Sequence, residues 1–192
     1  MEGTMAEAIS SQEIIRRYLQ DAIASEHSYA AQLERLSHEG DDPYIQKLFA
    51  QHAAETRHQQ ERLLNRLQQL GGSASTIKNV LAHVFSMTPK VSHFGHNEAD
   101  TNTQNLLLAY AIEQSEVATY EALKAAAESV RDAQTASLVE EIQNEEQQMT
   151  QRIWGLIAQS ARASVERQTG ETWRGQESQR STEPPRTSPN LP

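Results

Sequence analysis

The stretch AAETRHQQERLL, residues 53–64, decides how the chain is read. It holds no glycine or proline, is rich in helix formers, and ends on two leucines suited to a buried stripe. Glu55 and His58 stand three residues apart, one turn before those leucines, so they share one side of the helix. A carboxylate and an imidazole beside a stripe meant for burial are costly unless something pairs with them. A metal ion is one such partner, because together they offer it oxygen and nitrogen.

Working outward, the same helical pattern recurs four times. The first helix is expected from about Ser10 to His38, with Ile15, Tyr18, Ala22, Tyr29, Leu33 and Leu36 along its apolar line. GDDP follows, with Asp42 as N-cap and Pro43 at the first helical position. The second helix runs to about Leu70, where Gly71 and Gly72 stop it. A connection of about 28 residues comes next, too long for a simple turn. It contains a short helical piece, STIKNVLAHVF, and the irregular SMTPKVSHFGHNEAD. The third helix is expected from Thr101 or Asn102 to Val130, and the fourth from after RDAQ to about Ala161. Two helices, a long crossover and two more helices predict an all-α, ferritin-like four-helix bundle over residues 1–163. Residues 164–192 are polar, Pro-rich and aperiodic, and read as a disordered tail in which Trp173 is a candidate docking side chain.

The two halves also repeat at an offset of 90 positions. Glu26 maps to Glu116, Leu33 to Leu123, Leu48 to Leu138 and Glu55 to Glu145. Each helix carries an ionisable residue where its apolar line should continue. The lines are Tyr18, Ala22, Glu26, Tyr29, Leu33; then Leu48, His52, Glu55, Gln59, Leu63; then Leu106, Tyr110, Glu113, Glu116 or Val117, Tyr120, Leu123; and finally Leu138, Ile142, Glu145, Met149 or Gln148, Ile153, Leu156. Of the adjacent pair Glu145 and Glu146, one faces in and the other out, and Glu145 is taken as the inward one. Four buried carboxylates repel one another and lose solvation, and two divalent cations would neutralise four such charges. The candidate ligands are therefore Glu26, Glu55, His58, Glu113, Glu116 and Glu145. His93 and His96 in the crossover read as a polar loop, and Tyr18, Tyr29, Tyr110 and Tyr120 as core.

Composition narrows the classes. The 26 acidic residues outnumber the 17 Lys and Arg, giving a net charge of −9, and no basic cluster suits nucleic acid. The chain has no cysteine, which excludes disulfides, thiolate metal sites and cysteine nucleophiles. No apolar run approaches the ~20 residues of a membrane span, and the first ten residues lack the basic and apolar regions of a secretory signal, so a cytoplasmic protein is expected. There is no Gly-rich phosphate loop and no G-x-S-x-G motif.

The blocks YLQDAIASEHSYAAQL, HAAETRHQQERL, AYAIEQSEVATYEAL and IQNEEQQM resemble the YciE/YciF-type ferritin-like proteins of bacteria, over about Tyr18 to Leu156. That family is stress-associated and often dimeric, with a poorly established biochemical function. More distantly the pattern is similar to the rubrerythrin and ferritin superfamily, which places one Glu on helices 1 and 3 and a Glu-x-x-His on helices 2 and 4. The resemblance implies Glu26, Glu55 with His58, Glu116 and Glu145 as ligands, with Gln148, a weak donor, where a second histidine belongs, and with Glu113 and His52, one turn before Glu55, as its substitutes. It implies two iron or manganese ions and chemistry with O₂ or peroxide, as in metal oxidation or peroxide reduction. The departure at Gln148 leaves open a non-catalytic stress protein that acts through homodimerisation or through its tail.

Overall fold

The computed structural model of the chain describes residues 10–73 and 97–172. The described elements are helix α1 (Ser11–Leu36), α2 (Pro43–Gln69), a 3-10 turn (Glu98–Asp100), α3 (Thr101–Ser129) and α4 (Ala133–Thr169). The expected helix within STIKNVLAHVF, the pair His93 and His96, and Trp173 all lie outside the described residues.

Local chemistry sets the helix ends. The Ser10 hydroxyl accepts from the Glu13 amide at the start of α1. Asp42 accepts from the amides of Tyr44 and Ile45, with Pro43 at the first turn, as the sequence suggested. Asp132 caps α4 by accepting from the Thr135 amide. The α1–α2 turn needs Gly40, at φ +77°, because a Cβ there would lie 2.0 Å from Asn102 Oδ1 at the start of α3.

The fourth helix corrects one boundary. It does not end near Ala161 but continues to Thr169, where Gly170 in the left-handed region closes it. Ser164, placed in the tail by composition, is buried and donates to Asp100. Arg167 donates to the Ala99 carbonyl at 2.7 Å, and Gln168 donates to Asp100 at 3.0 Å. The last turns of α4 are polar because they pack on the polar turn before α3, not because they leave the fold.

Neighbouring helices are antiparallel throughout. Arg57 of α2 pairs with Glu34 of α1, and Arg16 reaches the Leu70 carbonyl. Lys124 of α3 pairs with Glu140 of α4, while Thr103 meets Ser160. Arg66, late in α2, meets Asp132 and Thr135, early in α4. The hairpins α1–α2 and α3–α4 therefore lie so that α2 and α3 run in the same direction. The end of α2 and the start of α3 therefore lie at opposite ends of the bundle, separated by the length of α2, about 40 Å for its 27 residues; the expected crossover between them falls outside the described residues.

The core is interrupted. One apolar cluster holds Ile15, Leu19, Ile23, Leu63, Leu67, Leu123, Val139 and Ile142. A second holds Leu33, Leu36, Phe49, Leu106, Ile112, Met149 and Ile153. The side chains at positions between them are polar and equally buried: Glu26, His52, Thr56, Gln59, Glu113, Glu116 and Glu146. The α1 line runs through Leu19 rather than Tyr18, which is exposed. Tyr120 is buried as expected, whereas Tyr29 and Tyr110 are only half-buried.

Candidate metal centre

The polar layer is built by one or two residues from each helix. Glu26 comes from α1, His52 from α2, Glu113 and Glu116 from α3, and Glu146 from α4, all essentially without solvent contact. On α3, positions 113, 116 and 120 step by three and four, so Glu113, Glu116 and Tyr120 share the inner face.

His52 is the hub. Its Nε2–H donates to Glu113 Oε1 at 2.8 Å, and the same nitrogen lies 3.9 Å from Glu146 Oε2. Its Nδ1 lies 3.5 Å from Glu55 Oε2. One potential ligand atom from each of His52, Glu113 and Glu146 lies within 4.8 Å of the others, so the three can converge on a metal ion. The Tyr120 hydroxyl donates to Glu26 Oε1 and so orients that carboxyl.

The electrostatics of the metal-free layer follow from burial. Burial pushes the Glu26 carboxyl up to about 8 against the opposing Tyr120 hydrogen bond. Burial and the nearby Glu26, Glu146 and Glu113 push Glu116 well above the usual carboxylate range. Burial, followed by the adjoining Glu113 carboxyl, raises Glu146 to about 10. Burial works against a charged His52, yet the carboxylates of Glu113, Glu55 and Glu146 raise it to about 10. Without a metal the layer thus holds extra protons.

The oxygens show the same deficit. Among the described residues, Glu26 Oε2, Glu113 Oε2 and both oxygens of Glu116 and Glu146 are buried with no hydrogen-bond partner. Such atoms are costly unless a ligand engages them. Carboxylate oxygens and one imidazole nitrogen suit iron, manganese or zinc, so the residues present fit a divalent metal.

The expected ligands divide into two groups. Glu26, His52, Glu113 and Glu116 are in the buried layer. Glu55, His58, Glu145 and Gln148 are not; they line a surface cleft of about 480 Å³ between α2 and α4. The inward carboxylate of α4 is Glu146, not Glu145, whose side chain bonds Arg62 and accepts from Gln59 Nε2 at 3.0 Å. The reason is rotational. The expected line took Leu138 and Leu156 as core, but both are half-buried flankers. The fully buried residues are Val139, Ile142, Met149 and Ile153, and that line passes through position 146. On α2 the line passes through His52, Thr56, Gln59 and Leu63, leaving Glu55 and His58 outside. The offset of 90 survives in altered form, since Thr56 maps to Glu146, and Glu55 and Glu145 both face outward. The inner positions at Glu-x-x-His spacing are Thr56 with Gln59 and Glu146 with Met149, so neither half presents that motif inward. Using Val139 and Ile153 as the guide would have identified Glu146; nothing in the α2 sequence marks Thr56.

Fold and layer together define a ferritin-like four-helix bundle with a buried carboxylate–histidine core. The chain belongs to the family described as a domain of unknown function, DUF892, whose pattern matches residues 10–166. A Xanthomonas campestris pv. campestris protein of known structure is 25% identical, with TM-score 0.67, over 83% of this chain and 99% of that one. YcfI of Rhodopseudomonas palustris is 18% identical, with TM-score 0.60, over 79% and 97% of the two chains. The E. coli stress protein YciF is 16% identical, with TM-score 0.63, over 80% and 98%. The last two likenesses concern the fold. No described helix is long and apolar enough to cross a membrane.

Proposed function

We propose that the buried layer is a divalent-cation centre of a cytoplasmic stress-response protein. His52, Glu113 and Glu146 would hold one ion, and Glu26 and Glu116 would accept a second. The observation that carries this reading is the set of buried carboxylate oxygens without partners on Glu26, Glu113, Glu116 and Glu146. Iron and manganese both suit the donors, and four carboxylates balance two divalent charges. The description of the E. coli neighbour as a stress protein supports the physiological part.

A redox-active ion would supply electron transfer to O₂ or peroxide. The chain's own residues prepare the chamber. Tyr120 holds Glu26 in place through its hydroxyl. The apolar clusters on either side keep water from the layer. His52 must yield the Nε2 proton that it shares with Glu113 before that nitrogen can donate to an ion. Titrating chelator-treated protein with Mn²⁺ or Fe²⁺ tests the reading: saturation at one or two ions per chain supports it, and no saturable uptake refutes it. Anaerobic Fe²⁺ loading followed by air tests the oxidoreductase part, for which an oxidation-linked absorbance band is expected.

A second reading, association with another copy, has its own observation. Trp154 is 64% exposed and packs on Tyr110 with ring centroids 5.3 Å apart. The groove around them, between α3 and α4, is lined by Gln114, Val117, Gln147, Thr150 and Gln151, with no charge. In a chain of net charge −9, an uncharged aromatic strip is where two like-charged copies meet most cheaply. A Trp154→Glu variant should run as a monomer where the parent runs as a dimer in sedimentation analysis. Identical sedimentation of the two proteins would remove this interface.

A further inference from the structure

The cleft between α2 and α4 meets the buried layer at His52 and Gln59, buried side chains that belong to both. His52 lines the cleft and also belongs to the layer. Its Nδ1 edge lies beside Glu55, and its Nε2 edge bonds Glu113. One polar atom on the cleft wall, Gln59 Oε1, is buried with no hydrogen-bond partner among the described residues. At the surface, Glu55 and His58 follow one another by three residues on α2, and Gln148 faces them from α4. Glu55 keeps a 56% exposed side chain that reaches solution beside His52 and within the field of Arg152. Glu145, the other carboxylate of the cleft, is neutralised by Arg62.

We propose that this cleft is a capture site through which divalent cations are loaded into the buried centre. Glu55 and His58 hold the incoming ion, and Gln59 Oε1 and His52 receive it from them. The inference rests on the centre taking up cations. The His52 ring bridges cleft and layer in one position, with Nδ1 toward Glu55 and Nε2 on Glu113, so loading requires the ring to turn aside. Arg152, also on the cleft wall and acting electrostatically on Glu55, opposes a cation and limits the rate.

Stopped-flow loading of the chelator-treated full chain with Co²⁺, followed by visible absorbance, tests this. Glu55→Gln should slow loading about tenfold at low ionic strength, and His58→Ala should slow it less. Arg152→Gln should speed it, and salt should shrink all three effects. The final absorbance should match that of the parent protein in every variant, because none of these residues holds the resident ion. Glu61→Gln, exposed on the same helix but outside the cleft, is the control and should load at the parent rate. Parent-like rates in Glu55→Gln and Arg152→Gln would overturn the proposal. So would a lowered final absorbance in Glu55→Gln at an unchanged rate, which would make Glu55 part of the centre itself. Parent protein that takes up no Co²⁺, Mn²⁺ or Fe²⁺ would defeat the buried centre as well, whereas normal uptake with unaltered rates defeats the cleft alone.

Discussion

Glu145 and Glu146 are neighbours in the sequence with opposite surroundings. One pairs with Arg62 at the surface; the other is buried beside His52 and Glu113. The protons of the layer make a measurable prediction at this scale. Glu26 stays protonated in the fold up to about pH 8, whereas its ordinary value is 4.5. Between those values unfolding releases a proton, so metal-free stability falls as pH rises from 4.5 to 8. His52 acts in the same direction: the stability from its charged form is complete below 6.5 and is lost as pH rises through about 10. Chelator-treated protein should therefore melt at progressively lower temperature from pH 5 to pH 9 in scanning calorimetry. Added Mn²⁺ should raise the melting temperature, and more so at the higher pH, because the ligands bind it deprotonated. A metal-free melting temperature that climbs over this range would contradict the proton assignment.

At the scale of the elements, the ends of the helices were more legible than their rotation. Asp42 with Pro43 marked a start by side-chain chemistry that acts within a few residues, and the structure keeps it. Rotation depends on which of several apolar residues pack deepest, and that is a property of the neighbouring helices. Hence His52, Glu113 and Glu116 could be placed near the core from spacing, while Glu55, His58 and Glu145 were turned too far inward. The end of α4 was misplaced for a related reason, since polar residues that bond a polar turn look like a tail in composition. The turn between α3 and α4 gives a test. Asp132 caps α4 and pairs with Arg66 at 2.7 Å, and both side chains are largely buried. Asp132→Ala removes the cap and strands the Arg66 charge, which should cost about 2–3 kcal/mol in denaturant unfolding. The number of metal ions bound should not change, since Asp132 packs at the end of the bundle and away from the layer.

For the whole molecule, the bundle order came from counting helices and noticing one connection too long to be a turn. The division of the core could be foreseen only as carboxylates interrupting apolar lines; the structure resolves it into two apolar clusters with a polar layer between. That layer is the feature that the fold would be more stable without, unless an ion fills it. The cleft beside it and the uncharged strip around Trp154 are surface properties that no single helix reveals. The central claim is that the layer binds a divalent cation through Glu146 and its buried neighbours. Calorimetric titration of Mn²⁺ into chelator-treated parent, Glu146→Gln and Glu145→Gln proteins tests it most directly. The account predicts saturable binding in the parent and in Glu145→Gln, and at least tenfold weaker binding in Glu146→Gln. Equal affinity in the parent and Glu146→Gln, or loss only in Glu145→Gln, would contradict it.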